Sequence, residues 1–214
     1  RAFVCDNMAQ HVPPALGQTN WQTMRDSLAS LHVFPPENRK VPSYTYVYML
    51  WILARPLIDW VAMATQDGDD AGVSAVIKAS GFRGAALPPH RAPSAEEIKS
   101  GSAIARAYKH ALSMAFDELT NDDAVVVVED DLFFSPDMME YFLAGYHVLR
   151  HDPTLWCVSA WNDNGFRGLV EGAPKRLLRT GYFPGLGWLL TRKLYKGELE
   201  LSWPSEHWDH WMRS

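Results

Sequence analysis

Two kinds of apolar pattern alternate along the chain from about residue 58 onward. Asp59 to Thr65 and Ala124 to Val128 are short apolar runs of strand length, and Leu155 to Trp161 and Leu186 to Thr191 read the same way. Between them Ile104, Tyr108, Ala111, Leu112, Ala115, Phe116 and Leu119 recur at helical spacing, the stripe of a helix with one buried side. A second helix is predicted after Phe134. There Ser135 can cap, Pro136 suits the first helical position, and Asp137 sits near the positive end of the helix dipole. Met138, Met139, Phe142, Leu143, Tyr146 and Leu149 would line its buried face. Asn162 to Gly165 predicts a turn between the last two strands, and the alternation of strands with helices predicts an α/β class.

The first 45 residues follow neither pattern for long. Ala2 to Asp6 reads as a strand, whereas Gln10 to Lys40 has no sustained period and carries four prolines, as an insertion or an irregular segment would. The chain therefore divides into an N-terminal segment, 1–45, and a body, 46–214. Tyr44 to Thr65 is the longest apolar stretch, but Arg55, Pro56 and Asp59 interrupt it short of the ~20 clean residues a spanning helix needs. No basic segment followed by an apolar core and a cleavage site stands at the start, and residue 1 is Arg. The chain is therefore expected to begin inside a longer protein, with any targeting signal upstream.

Composition narrows the class. At 214 residues, 47% hydrophobic and 21% charged, the chain suits one full core or two small ones, which excludes a disordered tail or a disulfide-stapled miniprotein. Cys5 and Cys157 allow at most one intramolecular bridge, so cysteine usage leaves the redox compartment open. The formal charge is −5, and protonating all eight histidines would raise it only to +3, so no basic field favours a nucleic-acid partner.

Candidate chemistry begins where Ala124 to Val128, a strand apolar on both faces, runs into Glu129-Asp130-Asp131. Open α/β sheets bind ligands at the C-terminal ends of their strands, and crowded carboxylates call for a hard divalent cation. A metal-diphosphate site is one reading of the trio. A solvated acidic turn, as at Asp69-Asp70 and Asp122-Asp123, is the other, and the buried strand favours the first. Six of the nine tryptophans stand at 156, 161, 188, 203, 208 and 211, where they either build a core or offer faces to sugar rings. Glu206-His207-Trp208-Asp209-His210-Trp211 places acids and histidines among aromatics, a setting for a general base; surface histidines or zinc ligands are the alternatives for His207 and His210. No P-loop, Gly-x-Ser-x-Gly elbow or His-Glu-x-x-His occurs, and Gly185-Leu186-Gly187 reads as a turn.

Four segments in order carry a resemblance: Val127 to Leu132, Leu155 to Gly165, Phe183 to Trp188 and Trp208 to Arg213. Together they resemble the N-acetylglucosaminyltransferase I family over about residues 58 to 213. The resemblance implies a GT-A fold, a Rossmann-like nucleotide-sugar-binding scaffold with a mostly parallel central sheet. It also implies inverting transfer of N-acetylglucosamine from UDP-GlcNAc, with Mn²⁺, to a mannose of a glycoprotein N-glycan. By the same resemblance Asp131 is the metal ligand, Glu129 and Asp130 contact the nucleotide-sugar, and Asp67 of Thr65-Gln66-Asp67 contacts uridine. Trp208 is a nucleotide-sugar residue and Asp209 the catalytic base. Departures from the family are Cys5-Asp6-Asn7, with Asn where Arg is expected, Ala107 in place of a nucleotide-contacting histidine, and His210 in place of a carboxylate. Family members continue past the point matching Ser214 through a segment that pairs with the cysteine at Cys157 and closes over the donor, so a C-terminally truncated domain is expected. They are Golgi-lumenal catalytic parts of type II membrane proteins, so a membrane anchor is expected only outside this chain. An O-mannose-directed enzyme of the same family, a catalytically inactive glycan-binding relative and a metal-dependent nucleotidyltransferase are the other readings.

Overall fold

A computed structural model describes residues 3–5, 47–54, 59–66, 71, 74–75, 78, 83–86, 94–117, 124–129, 137–166, 169 and 177–214. The described strands are β1 (Phe3–Cys5), β2 (Val47–Ala54), β3 (Asp59–Gln66), β4 (Arg83–Ala86), β5 (Ala124–Val128), β6 (Cys157–Ser159), β7 (Leu178–Thr180) and β8 (Trp188–Thr191). They form one sheet in the order β4-β3-β2-β5-β8-β6-β1-β7.

The α/β class holds, but the mostly parallel sheet does not form. Among the described strands only β3–β4 and β1–β6 pair in parallel. The pairs β1–β7, β2–β3, β2–β5, β5–β8 and β6–β8 are antiparallel. Chain length explains part of this. Only residues 55–58 join β2 to β3, and a parallel neighbour needs a crossover of a dozen residues or more, so the two strands must turn back on each other. Val47 accordingly faces Gln66 and Ala54 faces Asp59. Tracing the pairings across the sheet, β1, β3, β4, β5 and β6 share one direction while β2, β7 and β8 oppose it. The C-terminal ends of β3, β5 and β6, at Gln66, Val128 and Ser159, therefore lie along one edge, together with Trp188 at the start of β8. The apolar stretch from Tyr44 to Thr65 thus supplies two strands, and no described helix is long and apolar enough to cross a membrane.

Helices pack on both faces, which is why β5 is buried along its whole length. The first is α1 (Ala95–Lys99), opened by a capping box in which Glu97 N donates to Ser94 Oγ at 3.2 Å and Ser94 N donates to Glu97 Oε2 at 2.7 Å. It leads into α2 (Ser102–Asp117), whose Tyr108, Ala111, Leu112, Ala115 and Phe116 are buried as the stripe predicts, with Ile104 half-buried and Leu119 outside the described residues. These side chains share a core with Val125 and Val127 of β5 and Cys157 of β6. Strand side chains alternate, so Val158 points to the opposite face and meets Gly145 of α3 (Met138–His151). The start of α3 differs from expectation: the helix opens at Met138 with Asp137 at the cap and no capping bond from its side chain, and Ser135 and Pro136 lie outside the described residues. Phe142, Tyr146 and Leu149 are buried, and Tyr141 fastens α3 to β6 by donating its hydroxyl to Ser159 O at 2.6 Å.

After β8 comes a continuous helical segment, α4, made of Arg192–Leu194, a π-helical turn Tyr195–Leu199, and Glu200–Ser202. The last element is α5 (Trp208–Arg213). Of the N-terminal segment only β1 is described; it lies inside the sheet between β6 and β7.

Candidate active site

The site grows from the parity of β5. Val125 and Val127 face the α2 core, so the next residue of that parity, Glu129, leaves the strand on the same side. There the Tyr108 hydroxyl donates to Glu129 Oε1 at 2.5 Å. Glu129 is half-buried, and a hydrogen bond from a neutral donor to a carboxylate is stronger than one between neutral groups.

The other side of Tyr108 leads to α5. Its ring stacks on Trp208, with centroids 4.0 Å apart and planes 29° from parallel. Trp208 also stacks on Trp203 at 5.7 Å and on Trp188 at 6.0 Å, and Phe183 meets it edge-on at 5.9 Å. Trp188, Trp203 and Trp208 are therefore core residues, Trp156 and Trp211 are half-buried, and Trp161 is exposed. This cluster is pinned to α2 by Trp203 Nε1, which donates to Ala105 O at 2.9 Å. Gly101, at φ 71°, takes a left-handed backbone that strains any side chain, and a Cβ there would also lie 3.2 Å from Nδ1 of His207, itself in the left-handed region at φ 47°.

Asp209 follows Trp208 and stands at the rim of this cluster, with 47% of its side chain exposed. Arg213 Nη1 donates to Asp209 Oδ2 at 2.9 Å, Arg213 Nε donates to Phe183 O at 3.2 Å, and the guanidinium lies 5.3 Å from the centre of the Tyr182 ring. Asp209 therefore both opens to solvent and pairs within a short helix. Glu206, His207 and His210 are exposed, so of the expected aromatic enclosure only Trp208 is buried and Trp211 half-buried.

The loop after β6 borders the same edge. Ser159 Oγ donates to Gly185 O at 2.7 Å and accepts from Trp161 N at 3.0 Å, tying that loop to Phe183–Gly187. The predicted turn forms: Gly165 N donates to Asn162 O at 2.8 Å, and a Cβ on Gly165 would sit 2.9 Å from that oxygen. Gly185-Leu186-Gly187 is a turn as expected, with all three residues at positive φ.

Of the expected set, the described residues thus join Glu129 to Trp208 through Tyr108, with Asp209 next to Trp208 along the chain. Asp67, Asp130 and Asp131 lie outside the described residues, as do Asp6 and Asn7. Ala107 is buried in the α2 core. Among the described residues no three His, Cys, Asp or Glu side chains converge to hold a metal ion. Tyr108 is the residue sequence reasoning missed: its place in the helical stripe marked it as core, and the only further signal was a hydroxyl on an otherwise apolar face.

The described residues form a mixed α/β sheet with helices on both faces and a carboxylate at a buried strand end joined through tyrosine to a Trp-Asp helix. The GNT-I family model matches residues 62–214, and the chain belongs to that family. A similar protein is alpha-1,3-mannosyl-glycoprotein 2-beta-N-acetylglucosaminyltransferase of Arabidopsis thaliana, 39% identical over 117 residues, which cover 55% of this chain and 26% of that protein. The matched part thus spans about a quarter of that relative's length.

Proposed function

We propose that the chain is part of the catalytic domain of a metal-dependent, inverting N-acetylglucosaminyltransferase on a GT-A scaffold, with UDP-GlcNAc as donor and a mannose of a glycoprotein N-glycan as acceptor. What carries the reading is the family match over 62–214 together with the join of Glu129 to Trp208-Asp209 through Tyr108. On this reading Glu129, Asp130 and Asp67 face the nucleotide-sugar, Trp208 backs the donor, and Asp209 accepts the proton of the attacking hydroxyl. In a single displacement that hydroxyl approaches from the side opposite the leaving UDP, so its base must stand apart from the acids at the end of β5. Asp209 belongs to α5, a separate element from β5, and follows Trp208 directly, which supports giving it that role.

The donor set suits a divalent cation: the carboxylates that follow β5 are hard oxygen ligands, and Asp131 would hold Mn²⁺. When bound, the cation supplies charge to offset the developing diphosphate. The remaining partners follow from the same reading, a glycoprotein acceptor in the Golgi lumen and a membrane anchor in a part of the protein outside this chain.

The experiment is to mix the protein with UDP-GlcNAc, Mn²⁺ and a mannose-terminated glycan and to follow the glycan mass and UDP release. Gain of one N-acetylhexosamine on an N-glycan acceptor supports the reading, and gain only on an O-mannosyl peptide redirects it to the sister specificity. Glycan binding without transfer, or pyrophosphate release from a nucleoside triphosphate, overturns it.

A further inference from the structure

We propose that Tyr108 is a positioning residue for the nucleotide-sugar: its hydroxyl fixes the Glu129 carboxylate while its ring fixes Trp208, so that donor-side groups from β5 and α5 are held in one register. This rests on the function proposed above and deepens it. Tyr108 is 1% exposed, which core packing alone would satisfy with phenylalanine. Its hydroxyl is instead directed at a half-buried carboxylate 21 residues away, at 2.5 Å. The ring below that hydroxyl makes the closest of the aromatic contacts to Trp208, at 4.0 Å. Holding the Glu129 carboxylate in one orientation before the ligand arrives spares ordering on binding, and a hydrogen bond to a charged group adds to that.

Tyr108→Phe separates the two contacts, since it removes one oxygen and keeps the stacked ring. Calorimetric titration with UDP-GlcNAc and Mn²⁺ should show affinity weakened about tenfold, with near-ultraviolet circular dichroism unchanged and a melting temperature lowered only slightly. In a Glu129→Gln background, where the acceptor is no longer charged, the same change should cost less than about twofold, and this coupling is what a merely structural tyrosine would not produce. Parent-like affinity in Tyr108→Phe overturns the assignment. So does a loss that persists undiminished in Glu129→Gln, or one accompanied by collapse of the tryptophan signal, because each locates the effect in packing. A parent protein that binds no UDP-GlcNAc removes the proposed function itself and this inference with it, an outcome separate from the others.

Discussion

Arg213 holds Asp209 from one helical turn away, its Nη1 donating to Oδ2 at 2.9 Å while its Nε is bound to Phe183 O. The carboxylate proposed as base thus carries a cation that is itself aimed by the loop before β8. An i,i+4 pair this open to water contributes only about 0.3–0.5 kcal/mol to stability. Asp209→Asn should therefore fold normally by circular dichroism and bind UDP-GlcNAc as the parent does, while turnover falls by at least ~10². Retained turnover would leave Asp209 with the helix pairing alone.

Asp131→Ala tests the acids beyond β5. Binding of UDP, followed by calorimetry, should depend on Mn²⁺ in the parent, be lost on chelation with EDTA, and be insensitive to Mn²⁺ in the variant, because the diphosphate then lacks its countercharge. Equal Mn²⁺-dependent affinity in both proteins would return the trio to a solvated turn. Under the proposed function, transfer to a mannose acceptor by the parent should disappear under the same chelation.

Much of the fold was legible. Ala124–Val128 forms the predicted strand to the residue, the Tyr108 to Phe116 stripe is the buried side of α2, and Phe142, Tyr146 and Leu149 are buried in α3. Strand direction was not legible, because a central antiparallel strand buried on both faces has the same apolar run as a parallel one. The antiparallel β2 hid in a stretch considered only as a membrane span, and the short edge strands β4 and β7 carry too few residues for a period. The capping box of Ser94 and Glu97 carries a local Ser-x-x-Glu signature, whereas the bond from Tyr108 to Glu129 joins two elements and leaves no local mark.

Gly145 fixes how closely α3 lies on the sheet. A Cβ there would fall 2.8 Å from Cγ1 and 3.0 Å from Cγ2 of Val158, a branched side chain whose two methyls cannot both retreat. Gly145→Ala gains about 1 kcal/mol of helix propensity, but overpacking costs about 1–3 kcal/mol. Urea unfolding should show a net loss of stability, and Gly145→Ala with Val158→Ala should recover more than the sum of the single changes. A stabilised single variant would mean that α3 shifts freely.

Alkaline unfolding should report the contact between α2 and α4. Burial raises the Tyr195 hydroxyl well above the ordinary tyrosine range, further helped by the charges of Glu200 and Asp117. That hydroxyl donates to Lys109 O at 2.9 Å and lies 2.8 Å from Ser113 Oγ. Burial would lower the neighbouring Lys196 ammonium, but bonds of 2.8 Å each to Asp117 and Glu200 outweigh it and raise that group too. Both groups hold their protons more tightly folded than unfolded, so their contribution is complete below the unfolded values near 10 and drains away as pH rises through the folded ones. The urea midpoint should stay level from about pH 7 to 9 as far as these groups are concerned and fall above about pH 10. Of the eight tyrosines, Tyr195 at least should ionise, by its ultraviolet absorbance, only as the protein unfolds. Tyr195→Phe should be less stable at neutral pH, having lost its bonds to α2, yet show a shallower alkaline fall. An equally steep fall in that variant would place the alkaline sensitivity elsewhere in the chain.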